Sequence, residues 1–317
     1  MALYLGFDTS NYTTSAALFN TDNSQVLQSK KLLPVKPGEL GLRQSDAVFH
    51  HVRQLPEVMG ELNIPPDEGV KAVGVSSRPR NVEGSYMPCF LVGEAAASAV
   101  AAADNIPVYR TSHQVGHILA AVYSCGRMDL LSADKPFLAF HVSGGTTDCL
   151  LAAPDGDEVL KITQISSSLD IKAGQLIDRV GLMLGLAFPC GRELERLASE
   201  SKASFKIKPK LKDGCCCLSG IENKCLKMLK EANRPCDIAL YTLKYIESVI
   251  HEMTAYAVNC FGYDGIPVVY AGGVMSDRLV RDSLIKDYNA LFSEPEFSCD
   301  NAAGVAIFAA IKDGGIK

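Results

Sequence analysis

Two stretches of the chain, in its first and second halves, follow the same pattern of apolar and polar positions. Residues 2–19 read ALYLGFDTSNYTTSAALF, and residues 136–153 read PFLAFHVSGGTTDCLLAA. In each, an apolar strand runs into a turn of Ser, Thr, Asp or Gly, and a second apolar strand follows. Two ordinary hairpins with tight turns are the alternative. Because the pattern recurs at equivalent places, each opening one half of the chain, it predicts a duplicated α/β fold that binds a nucleotide.

The remaining periodic segments alternate between strand and helix. Residues 267–285 read as a buried strand, a Gly-Gly turn and an amphipathic helix, and residues 106–110 as a short strand. Helical patterns cover 45–63, the Ala-rich 91–104, 238–261 and the C-terminal 300–313. This alternation predicts an α/β architecture of two lobes, 1–111 and 112–317. We expect the terminal helix to pack back on the first lobe.

Composition and charge narrow the class of protein. The chain has 317 residues, of which 47% are hydrophobic, and this is enough for two sizeable cores. No apolar stretch reaches the roughly 18 residues that a membrane span needs, and the first ten residues read as a strand instead of a signal peptide. A net charge of −5 argues against a protein coated for nucleic acid. Eleven cysteines without a disulfide framework favour a reduced, cytoplasmic protein.

His113 and His117 are four residues apart in the segment TSHQVGHILAAVYS. Ser112 is a plausible helix N-cap, and on a helix both imidazoles project from the same side. Two neutral imidazoles make half of a site for a divalent metal. One buried, hydrogen-bonded histidine and one surface histidine are the alternative.

Two glycine turns are candidates for nucleotide binding. The first runs from Ser143 through Gly144, Gly145 and Thr146 to Thr147; its backbone N–H groups could face phosphate oxygens. In the second, Gly272 and Gly273 would let the backbone pass close to a planar ligand such as adenine.

The segment 199–235 differs from the rest because it is rich in lysine and cysteine. It carries eight lysines, and its first part lacks clear periodicity. It could touch RNA phosphates, but a solvated surface insert is the favoured interpretation. Its cysteines contain no C-x-x-C pair, so small buried thiols are preferred to structural zinc.

The order of these motifs resembles one known family. Asp-Thr-Ser near the start, HxxxH, SGG-x-T, D-x-x-x-G, LGL-x-F-P-x-G, AGGV and DNAA follow one another over residues 4 to 311. In this order they resemble the TsaD-type tRNA threonylcarbamoyladenosine synthases, formerly called Gcp glycoproteases. The resemblance implies the duplicated two-lobe fold of the actin/Hsp70/sugar-kinase ATPases.

The resemblance also implies roles for particular residues. One divalent metal, iron or zinc, would be held by His113, His117 and Asp300, although Asp300 could instead be an ordinary N-cap. An adenine nucleotide, either ATP or threonylcarbamoyl-adenylate, would lie against the two glycine turns. The nucleoside-holding positions of the family match Asp178 and Gly191. Asp8, one methylene shorter than the family glutamate, is the candidate catalytic base.

Several positions depart from the family pattern around the expected reaction centre. The family aspartate after E-T-S-C is replaced by Tyr12, the SGGHT histidine by Thr146, and an acidic group by Gln175. An asparagine after the Gly-Gly-Val turn is replaced by Asp277, which would add negative charge near the nucleotide. These changes suggest a divergent paralogue whose activity is weak or redirected.

Three functions therefore compete. The first is transfer of a threonylcarbamoyl group from its adenylate to an adenosine of tRNA. The second is a non-catalytic nucleotide- and metal-binding partner or regulator. The third and least favoured is a metalloprotease, because Gln114, Val115 and Gly116 lie where H-E-x-x-H requires a glutamate. The expected partners are those of the family: tRNA, a smaller paralogous subunit and a separate ATPase. A homodimer is an alternative, and no membrane association is expected.

Overall fold

A computed structural model describes residues 2–10, 12–34, 42–64, 69–133, 135–261 and 265–316. By their internal contacts the residues form two compact units. The first comprises 1–132, 154–161 and 296–317, and the second 133–153 and 162–295. This division differs from the expected boundary after residue 111, because the helix that carries both histidines belongs to the first unit.

The first unit is built on a five-stranded sheet of order β3-β2-β1-β4-β5. Strands β1, β2 and β3 form antiparallel hairpins, whereas β4 and β5 continue parallel to β1. Its elements are β1 (Leu3–Thr9), β2 (Thr13–Asn20), β3 (Gln25–Leu32), α1 (Gln44–Glu61), β4 (Val70–Arg78), α2 (Phe90–Asp104), β5 (Val108–Ser112) and α3 (His113–Ser124).

The second sheet repeats this plan with the order β10-β9-β6-β7-β8. Strand β6 pairs antiparallel with β7 and parallel with β9, which in turn is parallel to β10. The duplicated α/β fold predicted from the two hairpins is therefore confirmed. The elements are β6 (Phe137–Val142), β7 (Thr147–Asp155), β8 (Val159–Ser167), α4 (Ala173–Met183), α5 (Gly191–Ser199), α6 (Ser219–Lys230), α7 (Pro235–Phe261), β9 (Val268–Ala271), α8 (Arg278–Asp287), β10 (Ala290–Phe292), α9 (Pro295–Ser298) and α10 (Ala303–Lys312).

Every residue of β1 is buried because helices cover both faces of the first sheet. On one face Leu5 and Phe7 pack into a cluster with residues of α1 and α2. On the other face α10 lies directly on the strands: a Cβ atom at Gly6 or Gly74 would collide with its backbone. This close packing holds the start of α10 beside the end of β1.

Among the described residues, no helix combines the length and the hydropathy that a membrane crossing needs.

Candidate functional site

The two histidines open helix α3 in the first unit. Ser112 caps this helix, and its hydroxyl accepts a hydrogen bond from the Val115 N–H at 3.2 Å. One helical turn places His113 and His117 on the same side, with ring centroids 4.4 Å apart. The cap predicted from the sequence is therefore present, and it fixes where the pair begins.

Asp300 meets both histidines from the turn before α10. Its Oδ1 lies 2.9 Å from His117 Nε2 and 3.6 Å from His113 Nε2. The ligand atoms of the three residues all lie within 4.8 Å of one another. At the start of α10, the Asn301 side chain accepts a hydrogen bond from the Ala303 N–H at 3.0 Å. Asp300 therefore faces the histidines and is not the N-cap of α10. The neighbouring asparagine binds the backbone N–H there.

Asp8 lies behind His113 at the end of β1 and is almost completely buried. Its Oδ2 is 2.7 Å from His113 Nδ1, and its Oδ1 accepts the Ser10 N–H at 2.9 Å. Burial opposes charge on His113, but the charge of Asp8, its hydrogen bond and the charge of Asp300 raise the His113 pKa to about 9. The carboxylate thus fixes which ring nitrogen of His113 turns toward Asp300.

The donor set suits a divalent transition metal. Two imidazole nitrogens and one carboxylate oxygen form the combination that binds iron(II) with open positions, and zinc accepts the same ligand types. A carboxylate hydrogen-bonded to the far nitrogen of a ligating histidine is a usual support of such sites. The residues present therefore fit the metal that the sequence predicts.

A buried histidine supports the turn that follows Asp8, and no local sequence pattern identifies it. The side chain of His51, on α1, is fully buried. Its Nε2 donates to the Ser10 carbonyl at 2.8 Å, and its Nδ1 lies 2.8 Å from the Thr14 hydroxyl. Burial is the main cause that lowers the His51 pKa. The Ser10 hydroxyl in turn donates a hydrogen bond to Asp300 Oδ2 at 3.2 Å. The neutral imidazole of His51 therefore supports a residue that contacts the site.

The Ser143 turn joins β6 to β7 in the second unit. The Ser143 hydroxyl accepts hydrogen bonds from the N–H groups of Gly145 and Thr146, each at 3.2 Å. Gly144 and Gly145 are exposed, whereas Thr147 is buried. The Thr147 hydroxyl accepts the Ala173 N–H at 2.9 Å and thereby ties the turn to the start of α4. A helix N-terminus beside a glycine turn is a favourable place for an anion.

The second glycine turn lies next to the first because their strands are neighbours. His141 of β6 is in register with Ala271 of β9, and Gly272 follows directly. Gly272 has a φ of 102°, and a Cβ atom there would collide with the backbone of Val142. The fold therefore brings together the two turns that the sequence identified as separate nucleotide candidates.

The other predicted nucleotide residues have structural partners. Asp178, on α4, accepts the Cys190 N–H at 2.9 Å, one residue before Gly191 opens α5, and burial raises its pKa. Asp277 caps α8 and accepts the N–H groups of Leu279 and Val280. Burial, with the charge of Glu195, raises the Asp277 pKa to about 6.

The sequence profile of TsaD, tRNA N6-adenosine threonylcarbamoyltransferase, matches residues 40–307. A protein of that name from Geobacter sulfurreducens is 30% identical over 324 residues, which cover 96% of this chain and 90% of the relative. Another from Ligilactobacillus salivarius is 28% identical over 98% of this chain and 92% of the relative. The chain belongs to the TsaD family. Membership supports a tRNA-modifying transferase as the type of function.

Solved structures show the fold that the TsaD resemblance implied. Component A of the (R)-2-hydroxyglutaryl-CoA dehydratase of Acidaminococcus fermentans matches 99% of this chain and 100% of its own, with a TM-score of 0.59 and 14% identity. A ROK family glucokinase from Streptomyces griseus matches 98% of each chain, with a TM-score of 0.50 and 12% identity. The predicted actin/Hsp70/sugar-kinase-like fold is confirmed.

Proposed function

We propose that this TsaD-family chain transfers a threonylcarbamoyl group from its adenylate to an adenosine of tRNA, with a divalent metal held by His113, His117 and Asp300. The observation that carries the proposal is the convergence of these three side chains, from two distant segments, in a chain that belongs to the family. A bound metal would polarise the carbonyl oxygen of the transferred group as a Lewis acid.

Two sets of residues form this site: the three ligands, and the side chains that orient them. His113 and His117 present their Nε2 atoms to the same carboxylate oxygen. Asp8 holds the His113 ring from behind, and the Ser10 hydroxyl binds the second oxygen of Asp300. Each ligand is therefore oriented before anything binds, which lowers the free-energy cost of assembling the site.

We propose a positioning role for Asp8 in place of the catalytic role expected from the sequence. Both of its carboxylate oxygens already accept hydrogen bonds, one from Ser10 and one from His113. A general base needs an oxygen within hydrogen-bond reach of the substrate's proton. The buried carboxylate of Asp8 is better placed to orient the imidazole than to receive that proton.

For the adenylate we propose the two adjoining glycine turns of the second unit. The exposed glycines of the Ser143 turn admit a phosphate close to the backbone, and the N-terminus of α4 favours its negative charge. The Gly272 turn would border the adenine. Asp178, Gly191 and Asp277 would support the walls of this site through their helix starts.

A second candidate function is a nucleotide- and metal-binding paralogue without transfer activity. Two departures from the family pattern favour it, because their side chains bind backbone N–H groups at the starts of helices. The Gln175 side chain accepts the Lys172 N–H at 3.0 Å, and Asp277 caps α8. Both side chains are therefore used for local structure.

One assay separates the two candidates. The purified chain is given threonylcarbamoyl-adenylate and an unmodified tRNA transcript, with and without the smaller subunit and the ATPase of the family, and the nucleosides are analysed by mass spectrometry. Transfer should be lost with the double variant H113A/H117A, which should also lose stoichiometric metal while staying folded. If no modified adenosine forms with or without the partner proteins, while the chain still binds metal and nucleotide, the non-catalytic paralogue is favoured. Unchanged metal content in the double variant would refute the metal site.

A further inference from the structure

Five lysines form an exposed row along the segment 202–212. This segment follows α5 and has the sequence KASFKIKPKLK, with no acidic residue. It belongs to no helix or named strand, and exposed and partly buried residues alternate along this ribbon, as they do in an extended chain. The exposed residues include all the lysines, here called the lysine row: Lys202, Lys206, Lys208, Lys210 and Lys212.

The alternation arises because the apolar residues of the ribbon pack inward. Phe205, Ile207 and Leu211 lie against the core of the second unit, and the Phe205 ring meets Tyr241 edge-on at 5.2 Å. In an extended chain successive side chains point to opposite sides. Burying one side therefore presents the lysines together on the other, with successive members from 206 to 212 about 7 Å apart.

Both ends of the ribbon are fastened. The Ser201 hydroxyl donates to Asp237 Oδ1 at 2.5 Å. At the other end the backbones of Lys212 and Cys215 exchange two hydrogen bonds of 2.9 Å. The lysine row is thus held in an extended form before it meets a partner, so little conformational entropy is lost when it binds.

The charge of the row is not neutralised within the described part of the chain. None of its five lysines forms an ion pair there. Five positive charges within eleven residues stand out in a chain whose net charge is −5. A partner drawn to this surface must therefore be a polyanion, attracted to the row against the charge of the whole molecule.

We propose that the lysine row is a binding surface for the sugar–phosphate backbone of RNA. This inference rests on the proposed function, because it takes the tRNA acceptor of that reaction as the RNA. The spacing of the row is of the same order as that between successive phosphates of a nucleic-acid strand. Lysine contacts to phosphates supply affinity without reading sequence.

Two other classes of partner fit the row less well. A membrane or protein surface would need exposed apolar anchors between the lysines, but those side chains are turned into the core. A peptide added as a strand would need a continuous ladder of backbone donors, and Pro209 interrupts the ribbon. A phosphate backbone needs only the row of charges.

The test measures equilibrium binding of a fluorescent, unmodified tRNA transcript to the full chain without adenylate, over a range of KCl concentrations. In the row variant, Lys206, Lys208 and Lys210 become glutamine. The matched control changes three exposed lysines elsewhere in the same unit to glutamine: Lys227, Lys230 and Lys286. Both variants alter the net charge equally, and thermal melting checks that each is folded.

We expect the row variant to bind at least about tenfold more weakly at low salt, and the slope of log K against log salt to become shallower by about 2 to 3. The control should stay within about twofold of wild type, because it leaves the phosphate contacts in place. A K206R/K208R/K210R variant keeps the charges and should keep the affinity.

The proposal is overturned if the row variant retains wild-type affinity and slope, or if the control loses as much as the row variant. It is also overturned if polyglutamate or phosphatidylserine vesicles bind as tightly as RNA and depend equally on the row. Because no transfer step is measured, row-dependent RNA binding without transfer activity would refute the proposed function alone. In the separate transfer assay, an active row variant with an unchanged KM for tRNA would refute the row alone.

Discussion

At the scale of single residues, Asp8 is proposed to support the metal site through a neighbouring side chain. Its two oxygens hold the Ser10 backbone and the His113 ring. The arrangement resembles the carboxylate–histidine support of known metal sites, where loss of the carboxylate typically weakens metal binding 10–100-fold.

Asp8→Ala should therefore weaken zinc binding about 10–100-fold, measured by competition with a chromophoric chelator. Asp8→Asn should weaken it less, since the amide oxygen can still accept one of the two hydrogen bonds. If Asp8 acted only as a base, Asp8→Ala would keep full metal affinity and lose transfer activity alone.

The cap of α8 leads to a prediction about pH. The pKa of Asp277 is raised from 3.8 to about 6, first by burial and then by the charge of Glu195. The folded protein therefore keeps this proton up to about pH 6, whereas the unfolded chain releases it near pH 4. The stability that the carboxyl contributes falls as the pH rises between these values.

Asp277→Asn keeps the cap and cannot ionise. At pH 7.5 this variant should gain about 1–3 kcal/mol in free energy of unfolding relative to wild type, and at pH 4 the difference should largely vanish. Urea denaturation at the two pH values checks this. If the variant and the wild type differ by the same free energy of unfolding at both pH values, ionisation of Asp277 is not the cause.

At the scale of elements, the proposed metal site depends on how closely two helices approach. A Cβ atom at Gly304 of α10 would collide with the backbone of Gly116 in α3. Gly116 lies between the two histidines, and Gly304 lies four residues after Asp300. The glycine contact therefore sets the distance between the ligands.

Gly304→Ala should destabilise the protein by about 1–3 kcal/mol, although alanine favours helices, because the packed backbones must separate. It should also weaken metal binding as Asp300 moves away from the histidines. The matched control is Gly60→Ala in α1. There the added Cβ meets no atom within 4 Å beyond its chain neighbours and its own helix backbone, and a gain of up to about 1 kcal/mol is expected. A neutral or stabilising Gly304→Ala would contradict the packing argument.

At the scale of the whole molecule, the two predicted sites are distributed between the two units. The three proposed metal ligands and Asp8 belong to the first, and both glycine turns to the second. A ligand that binds only the folded form stabilises it by about 2.7 kcal/mol at a hundred times its dissociation constant.

We expect zinc to slow amide hydrogen exchange mainly in β1, α3 and the start of α10, and a chelator to reverse this. ATP should slow exchange mainly in the Ser143 turn, in α4 and in the Gly272 turn. Mass-spectrometric hydrogen exchange on the full chain measures both effects. Zinc protection centred on the glycine turns would contradict the assignment of the metal to the first unit.

The sequence by itself determined the duplication and those elements whose periodicity is clear, because both depend on local patterns. The apolar strands around the Asp8 and Ser143 turns, the Ser112 cap and the one-turn spacing of the histidines could all be read from neighbouring residues. The order of the motifs determined the family, and the family profile bears this out.

Only the tertiary structure decided what each candidate residue touches. Asp8 and His113 are 105 positions apart, and His117 and Asp300 are 183 apart. No local pattern encodes such pairings, because they result from α10 packing on the first sheet and from the close contact of Gly116 with Gly304. The same limit applies to the lysine row. Its lysines are visible in the sequence, but their shared exposure depends on the core against which Phe205 and Ile207 pack.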